Sequence, residues 1–421
     1  MTKLGELMKI AVIDHLSNPG GGSRVVRSLL AAMQKVRPDL EITFFGNPRG
    51  IERENIEEIA RAQGIKVRRL SSMTWSGRDI FGIKGSRHII ALLQRKLEGL
   101  LSLLPVYFSG RLDKELQQVV QDFDVAFFTW PFHLKCPDLE CPMVGIFHDF
   151  NFRYWFGAGM AAPWIQKFLE VHTPILLEHM TPVVSTEYMK TEVQKFYPQF
   201  GDKVHVAPIA PMSNLSQIDE ATIEKIHQKF KLPKKFLLAP TNASQHKNLG
   251  PLMAATEILR KRGYDIPLVI VGIGTEIYNG RSCPEGIELG MAPQNIYGLG
   301  YVDNVEIDGL IQSAQIVVNS SLYEGGNGPG FDAWSRGIPV AMSNIPPFLE
   351  HVAYHDVKAA IFNPRSADDI ADKIAYLLDN PDKARENAEH SLKAISRFNW
   401  EMTAEKYLSV FDLAIASSKK P

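Results

Sequence analysis

Short apolar runs alternate with amphipathic stretches along much of this chain. The run KIAVID at Lys9–Asp14 predicts a buried parallel strand, and the glycines at 20–22 lead into an amphipathic helix. Further strands are predicted at Glu41–Phe45, Val125–Trp130, Met143–Phe147, Pro182–Val184 and Val204–Ala207. This alternation favours an α/β fold with a parallel sheet covered by helices on both faces.

A second series of the same kind follows the segment PIAPMS at 208–213. Its predicted strands are Phe236–Ala239, Leu268–Val271, Gln315–Val318 and Pro339–Ala341. Helices are predicted at Ala367–Leu378, Lys383–Arg397 and Glu401–Ala416. Because 421 residues exceed what one core normally organises, we expect a first domain over 1–211 and a second over 212–397. The helix within 398–421 is expected to pack back toward the first domain.

Composition narrows the class of protein. A formal net charge of -1 argues against a general nucleic-acid binder, since such proteins need a clustered cationic surface. Only three cysteines occur, which suits a reducing compartment better than a disulfide framework. No uncharged apolar run reaches the roughly 18 residues of a membrane span. We therefore expect a cytoplasmic protein, with contact at the inner face of the membrane as an alternative.

The segment NSSLYEGGNGPGFDAWSRGIPV at 319–340 contains the most candidate functional residues. Its glycines, with Pro329 among them, predict a strand that turns sharply into the start of a helix. Such a turn exposes backbone N–H groups and lets a diphosphate approach closely. Glu324 lies in the turn and Asp332 one helical turn beyond it. Alternatively, Asp332 merely complements the helix dipole and Glu324 ends a strand in solvent.

This segment resembles the acidic pair and the trailing A-x-x-x-G-x-P-V pattern of retaining GT-B glycosyltransferases in glycosyltransferase family 4, the glycosyl transferases group 1. Matches stand in the family's order at VGIGTE (271–276), GYVDNVEIDGLIQSAQIVVNSSLYEG (300–325) and FNWEMTAEKY (398–407). Asp332 is one methylene shorter than the family's usual glutamate. The resemblance implies two Rossmann-like domains whose parallel sheets face a cleft.

The resemblance also implies a function and a site. The expected reaction moves a hexose, with retention and without a metal or other cofactor, from a nucleotide diphosphate sugar to a saccharide or lipid-linked acceptor. GDP-mannose is favoured over a UDP-sugar through the H-K-N segment, which resembles that of bacterial mannosyltransferases. Donor contacts are implied for the turn after the strand and for the acid beyond it, namely Gly325, Gly326, Asn327, Gly328 and Asp332.

A second donor element is PTNASQHKN at 240–248. Lys247 aligns with the family lysine that neutralises the departing diphosphate, a task suited to a compact ammonium. Asn242 stands where the family often has arginine, and Gly272 lies in the matching VGIGTE segment. This interpretation requires Lys247 and Glu324 to lie together; side chains on opposite outer surfaces would overturn it.

In the first domain, Gly21 and Gly22 belong to a glycine-rich loop that the family places near donor phosphates. Gly20 and Gly22 begin a G-x-G-x-x-G pattern, but Val25 occupies its third position, so an NAD fingerprint is incomplete. His148 follows the strand MVGIF and resembles the family histidine that contacts the transferred sugar or assists the acceptor. Asp149 either orients His148 or caps the following loop.

Two further features and three rival functions complete the picture. Asp122 and Asp124 have D-x-D spacing but precede a strand, so a metal site is not expected there. A basic segment spans 61–114, and its amphipathic part at 83–104 predicts either a helix on an anionic membrane or a helix packed on its own domain. The rivals are a non-catalytic nucleotide-sugar or carbohydrate-binding protein, a nucleotide-sugar hydrolase or epimerase, and, more distantly, an NAD-dependent oxidoreductase.

Overall fold

The computed structural model describes residues 7–14, 21–46, 63–70, 114–132, 134–154, 163–211, 217–278 and 295–418. The chain forms two compact units. The first unit comprises residues 1–209 together with 400–421, and the second comprises residues 210–399. The last helix of the chain therefore belongs to the first unit, and the second unit is one continuous stretch of sequence.

The described residues of each unit form one parallel sheet. The strands are β1 (Lys9–Asp14), β2 (Glu41–Gly46), β3 (Lys66–Arg69), β4 (Val125–Phe128), β5 (Met143–Ile146), β6 (Met180–Val184), β7 (His205–Val206), β8 (Leu237–Pro240), β9 (Leu268–Val271), β10 (Ile296–Gly298), β11 (Ile316–Asn319), β12 (Val340–Ser343) and β13 (Ala360–Phe362). The order is β3-β2-β1-β4-β5-β6-β7 in the first unit and β10-β9-β8-β11-β12-β13 in the second.

Helices connect the strands and cover the sheets. They are α1 (Gly21–Val36), α2 (Pro163–His179), α3 (Glu187–Phe196), α4 (Glu220–Phe230), α5 (Leu249–Lys261), α6 (Asn304–Ser313), α7 (Gly328–Trp334), α8 (Pro346–His355), α9 (Ala367–Asp379), α10 (Pro381–Ile395) and α11 (Trp400–Ser418), with a further helical stretch at 114–120. Among the described residues, no helix is long and apolar enough to cross a bilayer.

The helix α11 completes the first unit. It packs along α1, and its Tyr407 and Phe411 rings lie 5.6 and 5.2 Å from the ring of Phe127 in β4. The Thr403 hydroxyl donates to the Pro208 carbonyl oxygen at 2.8 Å. This buried aromatic contact fixes the helix to the centre of the sheet.

The second unit places two loops side by side. Strand β8 pairs with β11, with Leu237 opposite Ile316 and Leu238 opposite Val317. Because parallel strands that pair end at the same edge of the sheet, the loops that follow β8 and β11 emerge next to each other. Residues 241–248 and 320–327 form these loops, and both are segments in which the sequence predicts donor contacts.

The structure contains strands that the hydrophobic pattern did not predict. They are β3, β10 and β13, and each lies at an edge of its sheet. An edge strand has one neighbour and is partly exposed, so its sequence need not be a strong apolar run; KVRR in β3 has a single apolar residue. The basic amphipathic part at 83–104 lies outside the described residues.

Two histidines of α8 are buried in the second unit. The rings of His351 and His355 each lie 5.0 Å from the ring of Phe331 in α7, and His351 is 2% exposed. Burial lowers the pKa of His351 to about 3, and the nearby His355 adds to this effect. His351 is therefore neutral in the folded protein at physiological pH.

This burial predicts an acid-sensitive stability. The unfolded chain protonates His351 below about pH 6.5 whereas the folded protein does not, so stability should fall from about pH 6.5 toward pH 3 by up to about 1.4 kcal/mol per pH unit for this group. A His351→Leu variant should lose less stability than the wild type between pH 7 and pH 4. Urea denaturation at both pH values measures the difference, and equal losses in both proteins would contradict the prediction.

Candidate functional site

An ion pair joins the two loops of the second unit. The Lys247 ammonium donates to Glu324 Oε1 at 2.6 Å, and each side chain is 17% exposed. Lys247 ends a short 3-10 turn after β8, and Glu324 lies in the loop after β11. Lys247 and Glu324 therefore lie together, as the sequence interpretation requires, although 77 residues separate them in sequence.

Backbone groups hold these two loops together. The Leu322 amide donates to the His246 carbonyl oxygen at 2.7 Å, and the Ser320 hydroxyl donates to the Lys247 carbonyl oxygen at 3.0 Å. Asn248 adopts a left-handed conformation, and its side-chain amide donates to Ser320 O at 3.1 Å and to Pro364 O at 2.7 Å. The position of Lys247 relative to Glu324 is therefore set by main-chain contacts as well as by their own charges.

His246 adds no charge beside Lys247. It is buried, and burial lowers its pKa to about 4; the Lys247 charge lowers it further, while Glu324 acts in the opposite direction. Since a neutral ring results near physiological pH, Lys247 supplies the positive charge of the segment 240–248.

The glycine turn is shaped by a buried cap. Asn327 is 0% exposed, and its Oδ1 accepts from the Gly330 amide at 3.2 Å at the start of α7. A Cβ on Gly330 would lie 2.3 Å from Asn327 Nδ2, so a larger residue here would displace the Asn327 cap. Gly325 is buried, whereas Gly326 and Gly328 are half-buried. The accessible backbone of the turn thus lies at Gly326 and Gly328, and the Asn327 side chain has a structural role.

Asp332 is the fifth residue of α7. It is 4% exposed, and its backbone carbonyl accepts from Arg336 Nη1 at 3.2 Å. Arg336 in turn forms a buried ion pair with Asp308 of α6 at 3.0 Å. Asp332 is therefore buried in the second unit, one helical turn beyond the glycine turn that begins α7.

Gly272 and Asn242 lie where β9 and β8 end. Gly272 has φ +153°, and a Cβ there would lie 2.3 Å from the Thr241 carbonyl oxygen. The Thr241 amide donates to Val271 O at 2.8 Å, so the two chain segments are in direct contact. Asn242 is exposed, and its Oδ1 accepts from the Ser244 amide at 3.0 Å, which forms a tight turn leading toward Lys247.

The remaining predicted residues belong to the first unit. Gly21 begins α1, and the exposed Gly22 has open space where a Cβ would be. His148 follows β5; its Nε2 lies 3.0 Å from the Thr129 carbonyl oxygen, and its ring stacks on Trp130. Burial lowers the pKa of His148 to about 4, so the ring is neutral near pH 7. A carbonyl can only accept, which places the ring proton on Nε2 and leaves Nδ1 as an acceptor.

Asp149 and Asp124 both accept hydrogen bonds from backbone amides. Asp149 Oδ1 accepts from the Asn151 amide at 3.0 Å, which forms a turn at the start of the following loop. Asp124 Oδ2 accepts from the Lys9 amide at 2.8 Å, at the beginning of β1. Within the described parts of the chain, no group of three or more His, Cys, Asp or Glu side chains has a metal-binding arrangement.

Sequence reasoning missed Ser321, which contacts Glu324, and Asn319, which contacts Ser321. The Ser321 hydroxyl lies 2.5 Å from Glu324 Oε1 and 2.9 Å from Asn319 Oδ1. A usable signal was present, since three polar residues, NSS, directly follow the apolar run of β11 at the strand's carboxyl end. Polar side chains at that edge of a parallel sheet commonly face a ligand site.

Known proteins resemble this chain in sequence. Residues 222–393 match the family described as glycosyl transferases group 1. The serotype-specific mannosyltransferase WbdA of Escherichia coli is 26% identical over 207 residues, which is 47% of this chain and 24% of WbdA. The O-antigen chain mannosyltransferase B of Escherichia coli is 25% identical over 234 residues, or 54% of this chain and 59% of that protein. The chain thus spans about a quarter of WbdA and less than two thirds of the second relative.

Solved structures share its fold. HepE of Anabaena, solved in complex with UDP-glucose, has a TM-score of 0.67 at 14% identity and covers 96% of this chain and 100% of its own. Sucrose-phosphate synthase of Thermosynechococcus elongatus has a TM-score of 0.67 at 14% identity, with 97% and 100% covered. The chain therefore has the GT-B fold, and residues 222–393, which make up most of its second unit, match the glycosyl transferases group 1 family.

Proposed function

We propose that this protein transfers a hexose from a nucleotide diphosphate sugar to a saccharide or lipid-linked acceptor, with retention of anomeric configuration and without a catalytic metal. The observation that carries the proposal is the contact between Lys247 and Glu324 beside the glycine turn of the second unit. An ammonium and a carboxylate next to half-buried backbone amides suit a ligand that combines a diphosphate with hydroxyl groups.

In this proposal Lys247 balances the charge that builds on the diphosphate as it leaves. The half-buried backbone at Gly326 and Gly328, preceded by the buried Gly325, approaches the phosphates, and Asn327 shapes that backbone through its cap on α7. Glu324 binds sugar hydroxyls, and Asp332 accepts hydrogen bonds from the ribose hydroxyls. Asn242 and Gly272 contribute to the donor side from the loops after β8 and β9, and Gly21 and Gly22 remain predicted donor contacts.

Retention is proposed to follow from attack by the acceptor hydroxyl on the face from which the diphosphate departs. Lys247 would stabilise the leaving group in place of a metal ion. His148 is proposed to contact the sugar or the acceptor as a neutral ring, and its acceptor nitrogen would be Nδ1.

GDP-mannose is the donor we propose first. The mannosyltransferase names of the relatives support it, as does the H-K-N segment at 246–248. A UDP-sugar is the alternative, because HepE was solved with UDP-glucose.

The test is an assay of purified protein with GDP-mannose and UDP-glucose, offered mannose oligosaccharides and polyprenyl-diphosphate-linked saccharides. We expect acceptor-dependent release of the nucleotide diphosphate, unaffected by EDTA, and a product whose anomeric configuration by NMR equals that of the donor. Inversion would refute the proposed stereochemistry, and loss of activity in EDTA would refute metal independence. Release without acceptor would indicate a hydrolase, and binding without turnover would indicate a binding protein.

A further inference from the structure

The carboxylate of Glu324 has two donors on one oxygen. Lys247 Nζ lies 2.6 Å from Oε1, and Ser321 Oγ lies 2.5 Å from the same atom. The serine is 1% exposed and the lysine side chain 17% exposed. Of these two donors, the lysine is the longer and more accessible side chain, whereas the serine is fixed within the loop.

Lys247 and Ser321 are expected to behave differently when a nucleotide sugar binds. Under the proposed function, the Lys247 ammonium turns toward a diphosphate, and its attraction to Glu324 weakens. A carboxylate that loses its cation while partly buried is destabilised unless another hydrogen bond remains. Ser321 is placed to supply that bond.

Ser321 is held by a chain of buried contacts. Its amide donates to Asn319 Oδ1 at 3.3 Å, and Asn319 Nδ2 lies 3.4 Å from Asn327 Oδ1, which caps α7 through Gly330. The hydroxyl has one proton and two acceptors in reach, and the nearer acceptor is the charged carboxylate. A charge-assisted hydrogen bond is the stronger of the two, so the proton belongs on the Glu324 side.

We propose that Ser321 is a positioning residue that keeps Glu324 oriented toward the sugar after Lys247 has moved to the diphosphate; this inference rests on the proposed function. Holding Oε1 leaves Oε2 for a sugar hydroxyl. The rival explanation is that Ser321 merely packs the end of β11, in which case its loss would weaken the fold and every ligand alike.

The test compares Ser321→Ala with the wild type in binding and turnover. We expect the free diphosphate, GDP or UDP, to bind within about threefold of wild type, because no phosphate contact is lost. The matching nucleotide sugar binds the wild type more tightly than the diphosphate does, and Ser321→Ala should lose most of this difference. The kcat should fall about ten- to a hundredfold, as expected for one lost hydrogen bond to a charged group. Calorimetry supplies the binding constants without requiring an acceptor.

Ser343→Ala is the matched control. Ser343 is also fully buried, and its hydroxyl donates to the backbone carbonyl of Asn319 at 3.3 Å, at the same edge of the sheet. It should leave the affinity difference between diphosphate and nucleotide sugar unchanged. Equal affinity losses for diphosphate and nucleotide sugar in Ser321→Ala, or no change in either, would overturn the positioning role. If wild-type protein binds neither GDP-mannose nor UDP-glucose, the proposed function itself fails, which is a different result.

Discussion

Replacing Glu324 with Ala is expected to tighten the binding of free GDP and, at the same time, to lower sugar transfer by at least about a hundredfold. The first effect follows because Glu324 competes with a diphosphate for the Lys247 ammonium, which it contacts at 2.6 Å. An ion pair that is largely shielded but not fully buried contributes on the order of 1 kcal/mol, so GDP affinity should rise roughly three- to tenfold. Transfer falls because the sugar loses its contact with the Glu324 carboxylate. Calorimetry with GDP and a transfer assay measure the two effects.

Lys247→Ala should change GDP affinity in the opposite direction. It removes the cation itself, so both GDP binding and transfer are expected to fall, with binding weakened about ten- to a hundredfold. Arg262 and Asp372 form a matched control pair in the same unit, with Nη1 and Oδ1 also 2.6 Å apart. Arg262→Ala should alter neither GDP affinity nor transfer.

For the Glu324→Ala prediction, weaker GDP binding would show that the carboxylate supports the phosphate site rather than competing with it.

Gly272→Ala is expected to destabilise the second unit severely. The new Cβ would lie 2.3 Å from the carbonyl oxygen and 2.6 Å from the carbonyl carbon of Thr241, at a residue whose φ is +153°. The neighbouring backbone has little freedom to move, since the Thr241 amide is bonded to Val271 O and the Ala243 amide to Ile273 O. Backbone strain and overpacking together should cost at least about 3 kcal/mol.

Scanning calorimetry of the full chain measures this effect, because two units can give separate transitions. Gly328→Ala is the control: a Cβ at Gly328 meets no heavy atom within 4 Å, so its unfolding temperature should stay close to that of the wild type. An unchanged thermogram for Gly272→Ala would contradict the close approach of the β8 and β9 loops.

The strands that hydrophobic pattern predicts are those with neighbours on both sides, and β7. Lys9–Asp14 and Leu268–Val271 have the predicted bounds, because central strands of a parallel sheet are buried on both faces and read as continuous apolar runs. At the edges the same rule fails, because β3 has one apolar residue in four and β10 and β13 are only three residues long. Edge strands are specified mainly by the partner they pair with, which local sequence does not reveal.

The site divides in a similar way. The proximity of Lys247 and Glu324 was expected from the family resemblance, and the pairing of β8 with β11 explains it. The buried cap by Asn327 could not be predicted, since an asparagine in a glycine-rich turn suits a helix cap and a ligand contact equally well. Ser321 was missed because its importance depends on which oxygen of Glu324 it reaches.

The membership of α11 in the first unit affects the order in which the chain folds during its synthesis. Strands β1 to β7 leave the ribosome early, but the helix that covers Phe127 follows only after residues 210–399. Those residues form one uninterrupted stretch and can fold as soon as they emerge, whereas the earlier half must wait with part of its core exposed. The first unit is therefore synthesised first but completes its folding last, and its exposed apolar core is most open to chaperone binding during that interval.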